Sequence, residues 1–131
     1  MDTTNLIEQR REPRFRTNFA AGVTSFRGDR SPARVTNLSL SGLQLTGDHR
    51  LMHTLMPNIR RENPHLPISF SVHFRVPTTT TSVAAIDLGC KLVYCRRRRT
   101  NLFVLGCNFT VFEDHCEEDL REYIEHFGQR L

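Results

Sequence analysis

Between Leu66 and Val76 the chain alternates. Ile68, Phe70, Val72, Phe74 and Val76 take every second position, with Ser69, Ser71, His73 and Arg75 between them. A period of two sends successive side chains to opposite faces of an extended strand, so one face is buried and the other is wet. A half-wet strand belongs to an antiparallel sheet rather than to a parallel sheet covered by helices. His73 falls on the wet face, where a solvated histidine needs no catalytic role.

Similar patterns recur along the chain. Phe15, Phe19, Ala21 and Val23 share one parity, against Arg16, Asn18 and Thr24. Arg27 to Pro32 reads as a turn, Ala33–Thr36 as a short strand, and Leu43–Thr46 as the next strand, ended by Gly47-Asp48. Residues 49–65 read as a loop with one helical turn, because Pro57 interrupts the helical spacing of Leu51, Leu55 and Ile59. His49 and His53 could share a helix face there, but no third ligand stands nearby and no metal site is assigned. Ser82–Ile86 and Cys90–Cys95 read as two strands broken at Asp87-Leu88-Gly89. Arg96 to Asn101 reads as a basic hairpin loop leading into the strand Leu102–Val111. Asp114 and Glu117 have the spacing of a capping box, and Cys116, Leu120, Tyr123, Ile124 and Phe127 then form a helical apolar stripe that Gly128 stops. Strands in series followed by one helix predict a mainly β fold, a small antiparallel β-barrel with a C-terminal α-helix. Pattern alone leaves an open sheet or a sandwich equally open.

A chain of 131 residues suffices for one domain with a sizeable core. We assign it to residues 10–128 and read the polar, aperiodic residues 1–9 as a flexible tail. No apolar run approaches a membrane span, and the first residues lack the basic and apolar regions of a signal peptide, so the expected location is the cytoplasm. Cys90, Cys95, Cys107 and Cys116 lack zinc-ribbon spacing and are expected to be reduced thiols.

The formal charge is +4, and the basic residues are almost all arginine: seventeen, against the single Lys91. Residues 1–50 carry eight arginines against five acids, whereas residues 112–131 carry seven acids against Arg121 and Arg130. That distribution favours a discrete anion site over a uniformly basic coat. Four arginines, Arg10, Arg11, Arg14 and Arg16, fall within seven residues just before the first strand. A guanidinium presents a planar fork that matches a phosphate, or the O6/N7 edge of guanine, in two parallel hydrogen bonds. Further on, Asn37-Leu38-Ser39-Leu40-Ser41-Gly42 brings an amide that donates and accepts, a short hydroxyl, and a glycine that permits tight turning. Taken singly, the first element also fits a solvated surface and the second an ordinary turn.

In this order the two elements resemble the PilZ domain, the bacterial receptor for the second messenger cyclic di-GMP. Its signature is R-x-x-x-R followed by [D/N]-x-S-x-x-G. Arg10-Arg11-Glu12-Pro13-Arg14 supplies the first part and Asn37 to Gly42 the second without a mismatch. The resemblance spans roughly residues 8 to 127, and Leu105-Gly106-Cys107-Asn108-Phe109 is similar to the family's G-x-x-F strand. It implies a β-barrel whose ligand is cyclic di-GMP, with no cofactor, no metal and no catalytic residues. It implies phosphate and guanine contacts from Arg10, Arg11 and Arg14, guanine-edge contacts from Asn37 and Ser39, and backbone clearance at Gly42. Ser41, Tyr94 and Arg96 are implied secondary contacts, Tyr94 stacking on a guanine and Arg96 reaching a phosphate. Gln9, where some members carry a further arginine, leans towards one ligand molecule per site.

The implied function is a receptor or adaptor that changes its surface on binding and signals through a protein partner the sequence does not name. One alternative is a nucleic-acid module using Arg10–Arg16 and Arg96–Arg99, though the phenylalanines follow core parity rather than lining a stacking face. Another is a PilZ-like interaction domain that binds no nucleotide. The six scattered histidines supply no nucleophile–base pair or metal set, so no enzyme is expected.

Overall fold

A computed structural model describes residues 12–57, 67–79 and 81–131. Six long strands make up the body: β1 (Phe15–Ser25), β2 (Arg30–Leu38), β3 (Gly42–Gly47), β4 (Ser69–Pro77), β5 (Val83–Arg99) and β6 (Leu102–Phe112). Helix α1 (His49–Leu55) follows β3, helix α2 (Cys116–Phe127) follows β6, and a two-residue strand β7 (Gln129–Arg130) ends the chain. All pairings are antiparallel, in the order β2-β3-β6-β5-β4-β1, and β1 pairs back onto β2. That last pairing closes the sheet into a six-stranded barrel.

Alternation builds the core. Phe70, Val72, Phe74 and Val76 of β4 are buried while Ser69, His73 and Arg75 are exposed, as the period of two requires. The β1 parity likewise turns Val23 inward, where it packs with Val35, Leu45, Ile86, Leu88 and Leu105. Along part of its length β1 separates from β4, which it pairs only from Gly22 to Ser25. There the C-terminal helix closes the wall. Phe19 stacks on Phe74 at 6.0 Å, and the edge of Tyr123 meets Phe19 at 5.4 Å. Cys116 and Leu120 extend the same buried helix face.

Several local expectations give way to tertiary structure. Asp87-Leu88-Gly89 does not break the chain, because β5 runs unbroken for 17 residues. Its first half pairs with β4 and its second with β6, and bulges near Gly89, Leu92 and Arg97 absorb the coiling that one long strand needs to serve both neighbours. Arg96–Arg99 belong to that strand rather than to a loop, and only Thr100-Asn101 make the turn. Strand β2 starts at Arg30 and ends at Leu38, so Ser31, Pro32 and Asn37 are strand residues; Gly28, at φ +94°, carries the preceding turn. Helix α1 is longer than one turn. The Asp48 carboxylate accepts from Arg50 N–H at 2.9 Å, and Leu51 and Leu55 are buried. The capping box does not form: Asp114 takes a left-handed φ of +50°, and His115 precedes α2 with no side-chain cap. The tail assigned to residues 1–9 and much of the loop at 49–65 lie outside the described residues.

The four cysteines are free thiols. Burial pushes Cys90 up to about 12 and raises Cys95, Cys107 and Cys116 as well. Among the described residues no helix is long and apolar enough to cross a membrane.

Candidate functional site

The strand register sets one lateral row across the outside of the barrel. Arg16 of β1 faces Asn37 of β2, Asn37 faces Gln44 of β3, Gln44 faces Gly106 of β6, and Gly106 faces Tyr94 of β5. Residues distant in sequence thereby become neighbours on a single surface.

Hydrogen bonds run along the row. Arg14 Nη1 donates to Asn37 Oδ1 at 3.3 Å, and Asn37 Nδ2 donates to Gln44 Oε1 at 3.1 Å. Thr36 Oγ1 donates to the same Gln44 oxygen at 3.1 Å, and Gln44 Nε2 donates to the Tyr94 hydroxyl at 3.1 Å. The Arg96 guanidinium lies 5.1 Å from the centre of the Tyr94 ring, a cation–π distance. Gly106 lets the two ends meet: a Cβ there would stand 2.0 Å from the Tyr94 ring, so the ring lies directly over the glycine and reaches Gln44.

The turn between β2 and β3 carries the rest of the second motif. Ser39 Oγ accepts from Ser41 N–H at 3.3 Å and from Gly42 N–H at 3.2 Å, and donates to Gly42 C=O at 3.3 Å. The hydroxyl is buried, and in this structure it serves to lock the turn. Gly42 is required by close approach, since a Cβ would stand 2.3 Å from the backbone oxygen of Cys107 on β6. The locked turn exposes Ser41, whose hydroxyl donates to Glu12 Oε2 at 2.5 Å.

The two sequence motifs are therefore tied together twice, through Arg14–Asn37 and Glu12–Ser41. The C-terminus adds a third tether. Gln129 and Arg130 pair with Arg16 and Phe15, and Leu131 N–H donates to Arg14 C=O at 3.0 Å. Arg10 and Arg11 lie outside the described residues. Arg14, Asn37, Tyr94 and Arg96 converge on the row, with Ser39, Ser41 and Gly42 in the adjoining turn.

Sequence reasoning missed Gln44 and the task of Gly106. Gln44 shows in sequence only as the wet residue between Leu43 and Leu45, and its partner Tyr94 is fifty residues away. A cleft of about 600 Å³, lined by Phe19, Phe74, His73 and Asp87 among others, holds none of the motif residues. In it His73 Nδ1 and Asp87 Oδ1 form a cross-strand hydrogen bond on the exposed surface.

Comparisons with known proteins agree with this architecture. The PilZ domain of YcgR from Escherichia coli, solved with c-di-GMP, superposes with a TM-score of 0.56 at 15% identity, covering 89% of each chain. Bacillus subtilis MotI/DgrA, an inhibitor of motility, gives 0.58 at 8% identity over 90% of this chain and 53% of that one. PlzA of Borreliella burgdorferi, in complex with c-di-GMP, gives 0.52 at 12% identity over 92% of this chain and 46% of that one. The chain thus spans about half the length of MotI/DgrA and of PlzA. At these identities the likeness is one of fold. No curated protein sequence matches the chain. The family model of the PilZ domain matches residues 8–126, from before the arginine motif to the end of the C-terminal helix, and the chain belongs to the PilZ domain family.

Proposed function

We propose that this protein is a cyclic di-GMP receptor that signals to a protein partner from the bacterial cytoplasm. The observation that carries this reading is the row linking Arg14 of the first motif to Asn37 of the second, and onward to Tyr94 and Arg96. PilZ domains are receptor and adaptor modules rather than enzymes, and two of the structural neighbours, YcgR and PlzA, were solved with c-di-GMP.

The chemistry of the row suits that ligand. Cyclic di-GMP carries two phosphates and two guanines, and so needs forked cations, amide edges and a stacking surface. Arg14 binds a phosphate oxygen pair or the guanine O6/N7 edge, and Asn37 hydrogen-bonds a guanine edge. Arg96 leaves the face of the Tyr94 ring to reach a phosphate, which frees that face to stack on a base, and Arg10 and Arg11 supply further forked cations. Each good bidentate arginine–guanine contact contributes roughly 1–3 kcal/mol, so a few of them, less the cost of ordering the segment, reach micromolar affinity or better.

Ligand binding exchanges the Arg14–Asn37 and Glu12–Ser41 ties for contacts with the nucleotide. That exchange alters the surface around the β2–β3 turn and the C-terminal strand, where the partner reads it. Calorimetric titration with cyclic di-GMP, with GTP and cyclic di-AMP as controls, tests the reading. Saturable binding selective for cyclic di-GMP is expected. Equal affinity for all three, or none for any, overturns it.

A further inference from the structure

Arginine has five N–H donors and no acceptor. Arg14 therefore requires an oxygen from Asn37, and the Asn37 amide must point its Oδ1 at Arg14 and its Nδ2 at Gln44. Gln44 must then offer Oε1 to Asn37, and it satisfies Thr36 with the same oxygen. Its Nε2 is left to face Tyr94, whose hydroxyl becomes the acceptor. Reversing either amide would set two donors against each other at Arg14 or at Asn37, so the donor-only character of one guanidinium orders every link.

The Tyr94 hydroxyl can both accept and donate. With a lone pair engaged by Gln44, its proton is free, and among the described residues it donates to none. The ring that carries it lies over Gly106, with the Arg96 guanidinium 5.1 Å from its centre, on the outer face of the barrel.

We propose that Gln44 is a positioning residue that carries the polarity of Arg14 across three strands and leaves the Tyr94 hydroxyl proton aimed at a ligand acceptor, a phosphate oxygen or guanine N7. Tyr94 then serves as both stacking surface and hydrogen-bond donor. The inference deepens the cyclic di-GMP reading and rests on it for the identity of the ligand. The relay itself is a property of the free protein. Neither motif contains Gln44, and its side chain links Thr36 and Asn37 to Tyr94.

The test is a double-mutant cycle of Gln44→Met and Tyr94→Phe, read by calorimetry with cyclic di-GMP. Methionine keeps the length of the side chain and removes both amide functions; phenylalanine keeps the ring and removes the hydroxyl. Q44M should weaken binding about tenfold, the loss expected from one or two hydrogen bonds. Y94F should weaken it several-fold in the natural background and hardly at all in the Q44M background, because a hydroxyl released from Gln44 no longer points at the ligand. Affinity within twofold of the natural protein in Q44M, or losses that simply multiply, would overturn the proposal. A second readout needs no ligand. The Asn37 side-chain amide, held at both ends, should exchange slowly with solvent by NMR in the natural protein and rapidly in Q44M. Unchanged exchange in Q44M sinks the relay. Failure of the natural protein to bind cyclic di-GMP, with the exchange difference intact, instead overturns only the identity of the ligand.

Discussion

Two glycines separate the fold from the site. At Gly106 an added Cβ would stand 2.0 Å from Cε2 of Tyr94, against the 3.5–4.0 Å at which two carbons sit comfortably. The obstructing atoms are one half-exposed ring at the barrel surface, which swings outward by roughly 1.5 Å or more to relieve the overlap. Gly106→Ala should therefore leave the barrel intact, and alanine even reduces the entropy of the unfolded chain, worth about 0.4–1 kcal/mol. The displaced ring loses Gln44 and its place in the row. Stacking of one base on an aromatic contributes about 1–3 kcal/mol, so affinity for cyclic di-GMP should fall about 5- to 150-fold. At Gly42 the obstructing atom is the backbone oxygen of Cys107, 2.3 Å away, and a strand cannot swing aside. Gly42→Ala must push β3 from β6 where Gly42 faces Asn108, at a cost of about 2–3 kcal/mol. That corresponds to a fall in Tm of roughly 10 °C. Thermal unfolding and calorimetry on both variants give the comparison. Near-normal affinity in Gly106→Ala, or a fall in Tm as large as that of Gly42→Ala, would refute the reasoning.

Further expectations follow from the same geometry. Arg14→Lys keeps the charge but loses the fork, and calorimetry should show cyclic di-GMP binding weakened at least about tenfold. Glu12 places a carboxylate on Ser41 beside the arginine segment, so Glu12→Gln should tighten binding of the dianionic ligand by about threefold at low salt; the gain should fade as ionic strength rises. The buried thiols Cys90 and Cys107 are raised in the folded state, so they stay protonated where the unfolded chain ionises. Stability should hold below about pH 9 and fall above it by about 1.4 kcal/mol per pH unit for each such thiol, up to the folded value. Urea unfolding across that range checks the slope, which Cys90→Ala should make shallower.

Much of the candidate site was legible because the motif residues announce their chemistry. Forked cations precede the first strand, and an amide, a hydroxyl and a glycine share one short segment. Less legible were the tasks inside that segment. Ser39 locks the turn in this structure, and Gly42 answers to Cys107, a strand partner 65 positions away. Gln44 was invisible as a site residue because nothing local distinguishes it from any wet residue on a half-buried strand.

Local pattern was enough to specify β strands, their buried parity, the C-terminal helix and the order of the two motifs. Those features depend on neighbours a few residues apart, whose periodicity the chain carries openly. The continuity of β5 through Asp87-Leu88-Gly89, the strand placement of Arg96–Arg99, and the relay from Arg14 to Tyr94 came from elsewhere. They depend on register, and register is set when the barrel closes: the pairing of β1 with β2 and of β3 with β6 decides which wet residues meet. A strand's own sequence says which of its faces is wet, but only the closed barrel says what stands beside it.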